Sequence, residues 1–326
     1  MRLFHLISSH GTKIIASAAL LGLAAPVLAE LLRPLIASLL VAMLCVSMLR
    51  VDLAALLGRL KHPRRTLAAA TAITVACPLL VLSTLSATTG PLGSATGLAV
   101  AFLFVAPPPI VSAPAFALLM GLDGALVLSI MLISTVAMVL TVPIMAALFV
   151  GDALPVGASD LAGRLAVMIC GACLTAAAIR RVVGPARIVA ARPLLDAAGV
   201  AIAMLFAIGA MDTVGARLVA APTATLAVAA AAFAMQGAQI VAFYGLFQPF
   251  VGADAVAIAY AAGNRNAGLV VAALGATQVG DTVWLFFALS QLPVFTFPLL
   301  LAPLGRRLVA AHAAPLSRTK KGTMPQ

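Results

Sequence analysis

Charge is what this chain has least of. Only 9% of its 326 residues are Asp, Glu, Lys or Arg, against about 25% in soluble domains. With 63% hydrophobic residues and a mean hydropathy of +1.18, that scarcity excludes an ordinary soluble enzyme or binding domain and implies an integral membrane protein. Long polar stretches are missing too, so almost no chain is left for a separate soluble unit. Cysteine is also scarce: Cys45, Cys77, Cys170 and Cys173 all lie in apolar runs. Cys170 and Cys173 form a CxxC, but on one apolar helix without a nearby His or acid the pair reads as packing, not redox or metal chemistry. No metal site and no cofactor are expected.

What remains is a series of long apolar runs without period-2 alternation. Lipid admits only helices or closed barrels, and a helix needs roughly 20 apolar residues to span it. The expected fold is therefore all-α integral membrane with ten transmembrane helices. They fall at about 12–30, 34–49, 66–87, 92–121, 124–150, 160–180, 194–214, 221–248, 252–276 and 281–304, with the fourth and ninth interrupted. The net charge of +11 follows from orientation and implies no nucleic acid. Sixteen basic residues, among them Arg50, Arg64, Arg65, Arg180, Arg181, Arg187, Arg192, Arg306 and Arg307, fall on one side; only Arg33, Arg164 and Arg217 fall on the other. The positive-inside rule then puts both termini in the cytoplasm of a multi-pass protein of the cell inner membrane. A competing reading makes Lys13, the run from Ile14 to Ala25 and Val27-Leu28-Ala29 a cleaved signal peptide; cleavage would leave nine spans. Segment 50–65, with Leu53, Leu56, Leu57 and Leu60 opposite Arg59 and Lys61, reads as amphipathic and touching anionic membrane lipid.

Arg265 is the one of the 20 basic residues that falls on neither side; it lies mid-run, in Gly263-Asn264-Arg265-Asn266-Ala267-Gly268. Five spans (1–150) precede the linker 151–159 and five (160–305) follow it, before a basic cytoplasmic tail (306–326). An odd number per half makes the second half an inverted repeat of the first, a pattern found in transporters. The fourth span is broken at Ala106-Pro107-Pro108-Pro109-Ile110-Val111-Ser112-Ala113-Pro114, where proline removes backbone donors. The ninth is broken at 263–268, where glycine and amide residues favour non-helical backbone. Both breaks are the fourth element of their half, and matched breaks at mid-membrane point to a binding site. The plainer alternative is a pair of structural kinks.

The 5+5 arrangement, the broken fourth and ninth helices and the Gly-x-x-Asn-x-Gly-Leu sequence at Gly263–Leu269 resemble the bile acid:sodium symporter family. The similarity covers most of the chain and is strongest over 104–143, with the pair Ser134-Thr135, and over 258–275. The resemblance implies a secondary carrier that moves its substrate by alternating access, with oxygen ligands for two sodium ions where the broken helices cross. This chain departs from that ligand set. Ala261 stands at the family's Glu, Arg265 at its sodium-liganding Gln, Ala113-Pro114 at its Ser-Asn pair, and Val127 and Met131 at its fifth-helix hydroxyls. A hard cation needs oxygens in place of its water, so the two-sodium mechanism is not expected here.

Three readings of Arg265 stay open: a tethered cation replacing sodium and bridging the broken helices through Asn264, Asn266 and helix C-terminal carbonyls; a cavity-facing anchor for an anionic substrate; or a structural buried charge. The candidate site comprises Arg265, Asn264, Asn266, Gly263 and Gly268, Pro108, Pro109, Ser112 and Pro114, Ser134 and Thr135, and Gln236 and Gln239. The two glutamines, three apart on one helix, either line a cavity or bond between helices. Asp123 and Asp254 read as helix N-caps, and Asp281 lies near the start of the tenth span. None lies in the ninth helix's central turns, so no proton carrier is evident. Gln291 and Trp284 in the tenth span are undecided. The expected function is secondary transport of a small organic anion, without sodium coupling and not as an enzyme. Alternatives are an arsenite- or auxin-type permease of the same superfamily, or a non-transporting membrane protein. Oligomeric state is left open.

Overall fold

A computed structural model of the chain describes residues 11–51 and 63–313. Segment 52–62, with Arg59 and Lys61, and residues 1–10 and 314–326 lie outside the described residues, and so does most of the expected amphipathic stretch. Among the described residues the fold is all-helical. Seven stretches are long and apolar enough to cross a membrane: Pro26–Arg50, Pro63–Ser86, Gly124–Phe149, Ala158–Val183, Arg192–Ala220, Pro222–Val251 and Asp281–Pro303.

The helices are α1 (Gly11–Ala24), α2 (Pro26–Leu32), α3 (Ile36–Arg50), α4 (Pro63–Thr71), α5 (Cys77–Ser86), α6 (Ala95–Val105), α7 (Ala113–Leu119) and α8 (Gly124–Phe149). They continue as α9 (Ala158–Val183), α10 (Pro185–Ala190), α11 (Arg192–Ala210), α12 (Val214–Ala220), α13 (Pro222–Val251), α14 (Asp254–Gly263), α15 (Ala267–Leu274) and α16 (Asp281–Ala313). The three remaining expected spans correspond to shorter helices: α1, the pair α6 and α7, and the pair α14 and α15. The first boundary also differs from expectation. The chain leaves helix at Ala25 (φ −123°, ψ 72°), not near residue 30, because Pro26 disfavours helical backbone in the residue before it. From Pro26 a single helical stretch passes through a 3₁₀ turn at Arg33–Leu35 to Arg50.

Large apolar side chains face outward, among them Val27, Leu80, Val136, Val167 and Phe250. A soluble protein would not expose so much contiguous apolar surface; in lipid it is the expected exterior. The helices sort into two groups by packing. One contains α1, α2, α3, α9 and α11; the other is built from α4–α8, α13, α14 and α16, and α15 lies at the boundary, packed on α3 and α9 of the first and on α6 of the second. Other contacts between the groups include α16 against α1, and the chain neighbours α8 and α9. Gly268 belongs to this boundary, since a Cβ there would lie 3.1 Å from Leu40 of α3. A small residue lets α15 approach that closely.

Caps follow local sequence in one case and not in another. Asp123 caps α8, its Oδ1 accepting from the Leu126 N–H at 2.9 Å. Asp254 does not cap α14, contrary to expectation. It is the first helical residue, behind Ala253, and its carboxylate accepts from Arg65 at 3.2 Å. An arginine 189 residues away in the chain takes the carboxylate in place of the local backbone.

Candidate functional site

The non-helical links between α6 and α7 and between α14 and α15 lie against each other. Pro109 and Arg265 form an isolated antiparallel bridge, flanked by two hydrogen bonds. The Ile110 N–H donates to Asn264 O at 2.7 Å, and the Asn266 N–H donates to Pro108 O at 2.8 Å. The proline run suits this geometry. Pro107, Pro108 and Pro109 have no N–H to leave unpaired, yet their carbonyls remain as acceptors. Helix α7 restarts after Ser112, with Pro114 in its first turn, where a missing N–H costs nothing.

Arg265 is 4% exposed, and its guanidinium is held on three sides. Nε donates to Gln239 Oε1 at 3.0 Å, Nη1 to Ile73 O at 2.9 Å and to Pro107 O at 3.1 Å, and Nη2 approaches Cys77 Sγ at 3.6 Å. Four elements thus meet on one side chain: α13, the turn between α4 and α5, the proline link, and its own link. Five donors in a fixed plane allow such convergence where an ammonium would not.

The Ile73 carbonyl is free for a reason visible in the backbone. Residues Ala72–Ala76 form a π-turn in which the Cys77 N–H goes to Ala72 O. In that register the carbonyl of Ile73 would look to residue 78, which is Pro78 and has no N–H. A proline in an otherwise regular apolar helix therefore leaves one carbonyl unmet, and Arg265 meets it.

The neighbouring amides complete the crossing. Asn264 Nδ2 donates to Tyr260 O at 2.9 Å, satisfying the end of α14, and its Oδ1 accepts from Gln236 Nε2 at 3.0 Å. Gln239 Nε2 faces Phe104 O at 3.5 Å. Gln236 and Gln239 therefore bond from α13 to the link at Asn264–Arg265 and to α6, and neither is on the wall of the cavity between the helix groups. Gly263 is a close-approach position, since a Cβ there would run into Ile240 of α13. Asn266 contributes through its backbone, and its buried Nδ2 has no partner. Ser134 is fully buried with an unpartnered Oγ, and Thr135 Oγ1 bonds its own helix at Met131 O, 2.7 Å. Neither hydroxyl is bonded to the crossing, as is common for Ser and Thr in membrane helices.

In the bridging reading Arg265 acts with Asn264, Asn266 and helix carbonyls; the two asparagines do bridge the links, through their backbones and not through side-chain bonds to the guanidinium. Their amides turn to Tyr260 and Gln236 or remain unpaired, while Arg265 takes Gln239 and two carbonyls from distant segments. Nor does Arg265 line the cavity between the two helix groups. That cavity, about 310 Å³, is bounded by α1, α3 and α11 on one side and by Ile110–Leu119 and Phe295 on the other. Ser112 is the only one of the expected site residues on its wall. Its lining is largely apolar, with a pair of opposite charges: Arg50 Nη2 and Asp196 Oδ1, 2.6 Å apart at the ends of α3 and α11.

At the opposite ends of those same helices is a cluster that sequence reasoning missed. Asp212 follows the end of α11, although its position falls inside the range read as the seventh span. It is 8% exposed and accepts from Arg33 Nη1 at 2.9 Å. Arg33 Nε and Nη2 also donate to Ala276 O at 3.2 and 3.0 Å, and its guanidinium carbon lies 4.1 Å from the centre of the Trp284 ring. Trp284 Nε1 donates to Asp212 O at 3.0 Å. Hydropathy absorbs Asp212 and Trp284 into apolar spans, and only packing shows them together with Arg33. No protein-family model matches this chain, and no curated protein has significant similarity to it.

Proposed function

We propose that this protein is a secondary carrier of a small organic anion, resembling the bile acid:sodium symporters, with ten crossings in two inverted five-helix repeats. The supporting observation is the bonded crossing of two helix interruptions beside a cavity that opens between two helix groups. Irregular backbone at membrane depth is tolerated where protein buries it or a cavity adjoins it, and both conditions hold at Pro107–Ser112. Carriers of this kind alternate by moving one group against the other around such a site.

On this reading Arg265 is the tethered cation. Its charge sits among carbonyls and an amide oxygen, acceptors of the type that would otherwise solvate a bound cation, so no sodium is required to hold the links together. Arg50, at the cavity mouth, is then the first cation an anionic substrate meets, and the apolar walls accommodate its carbon body. The carboxylates Asp123, Asp254 and Asp281 lie at helix starts, and Asp196 on the cavity wall and the buried Asp212 are each held in an ion pair, with Arg50 and Arg33. Facilitated transport or exchange fits this arrangement better than proton symport. By the positive-inside rule the cavity opens toward the cytoplasm and both termini lie on that side of the inner membrane.

The test is reconstitution. Organic anions that raise the unfolding temperature of the purified protein are loaded into proteoliposomes, and uptake is compared in sodium and in choline. Uptake that is equal in both media is the expected outcome. Sodium-dependent uptake refutes the tethered-cation reading, and absence of uptake for every stabilising anion refutes the carrier.

A further inference from the structure

Arg33, Arg164 and Arg217 break the charge asymmetry of the chain, and none of them takes part in the Arg265 crossing. All three nevertheless end on one short stretch, from the last turn of α15 to the first residue of α16. Arg164 Nη1 donates to Ala273 O at 3.2 Å, Arg33 donates to Ala276 O, and Arg217 Nη2 pairs with Asp281 at 2.8 Å. The carbonyls at a helix C-terminus lack intrahelical donors and carry its negative dipole end, so they accept cations readily. We propose that Arg33 and Arg164, with Asp212 and Trp284, form the gate that closes the outer face of the carrier and parts in each transport cycle. The inference rests on the carrier reading.

The distribution of contacts carries it. Arg33 and Asp212 belong to the same helix group, α1–α3 with α9 and α11, so their ion pair stays intact when the groups separate. Their side chains are only 16% and 11% exposed, and parting such a pair would strand two charges. What crosses the boundary is weaker: arginine hydrogen bonds to the neutral carbonyls of Ala273 and Ala276, the Arg33 face on Trp284, and the Trp284 N–H on Asp212 O. The exposed Arg217–Asp281 pair is no part of the closure, since it joins α12 to α16 and α12 packs mostly on α13, within the second group. Strong pairing within a group and modest contacts across it are what a reversible closure needs. Thr213, left-handed at φ 65°, turns the chain sharply after Asp212. Such backbone is uncommon for a non-glycine residue. It follows the residue whose carboxylate is on Arg33 and whose carbonyl is on Trp284.

The arrangement also explains the asymmetry of the structure. At the gate end α15 packs directly on α3 and α9, leaving only an open surface hollow beside Arg164 and Ala273, while at the other end α7 is separated from α3 and α11 by the cavity. A carrier closed outside and open inside has this form.

The experiment needs no substrate. Ala203→Cys, on the cavity wall of α11, is introduced into protein whose four native cysteines are replaced by serine, and right-side-out proteoliposomes are treated with a membrane-impermeant thiol reagent. Arg164→Gln with Trp284→Phe removes two cross-boundary contacts and keeps the Arg33–Asp212 pair. It is expected to raise the outside labelling rate roughly tenfold, as the loss of hydrogen bonds of ordinary strength would, and to lower labelling from inside. Unchanged outside labelling, in a variant that remains monodisperse and still labels from inside, overturns the gate. If the double variant does not fold, Arg164→Gln alone is read the same way, with a smaller rise expected. Raised labelling without transport of any organic anion would keep the gate and remove the carrier reading.

Discussion

Replacing Arg265 tests the crossing most directly. Truncation to alanine strands three buried acceptors: Gln239 Oε1, Ile73 O and Pro107 O. Each unsatisfied buried acceptor costs about 1–3 kcal/mol, so Arg265→Ala is expected to destabilise by roughly 3–9 kcal/mol. That is comparable with the whole stability of a typical domain, about 5–15 kcal/mol. Arg265→Gln restores two donors on a shorter side chain and should cost roughly 2–5 kcal/mol. Arg265→Lys keeps the charge but loses the planar fork and should fall between glutamine and the parent. Thermal unfolding in detergent measures the stability, and proteoliposome uptake measures the function. If the guanidinium replaces a bound cation, the glutamine variant either stops transporting or becomes stabilised and activated by sodium. A glutamine variant that unfolds at the parent temperature and transports without sodium would refute the reasoning.

Further expectations follow from single contacts. Pro78→Ala returns an N–H to the π-turn, where it competes with Arg265 for Ile73 O; unfolding measurements should show no gain in stability. A gain approaching the roughly 3 kcal/mol usual for removing proline from a helix would contradict the π-turn account. Gly263→Ala should destabilise by about 1–3 kcal/mol through collision with Ile240, and adding Ile240→Val should recover part of it in the same measurement. Asp254→Ala, losing only a pair with the exposed Arg65, should change stability by about 0–1 kcal/mol and leave transport intact, whereas an N-cap role would add a further loss of roughly 1 kcal/mol.

How much was legible in the chain depends on the range of the force involved. The helical membrane class follows from composition, because a backbone without water must bond itself. The two interruptions also follow from local chemistry: three successive prolines cannot donate, and Gly263-Asn264 tolerates a non-helical turn. Asp123 was readable as a cap because its acceptor reaches an N–H three residues away. Asp254 was not, because its partner Arg65 is 189 residues distant.

Arg265 shows the same division within one residue. An isolated guanidinium in an apolar run must find acceptors, and the sequence alone demanded that much. Which acceptors it finds was decided by packing, since Ile73 and Pro107 lie 192 and 158 residues away and become neighbours only when the helices assemble. The cavity without Arg265 and the cluster joining Arg33, Asp212 and Trp284 were decided in the same way. Backbone preference acts over a few residues and can be read along the chain, whereas a buried donor pairs with whatever the tertiary fold brings within about 3 Å.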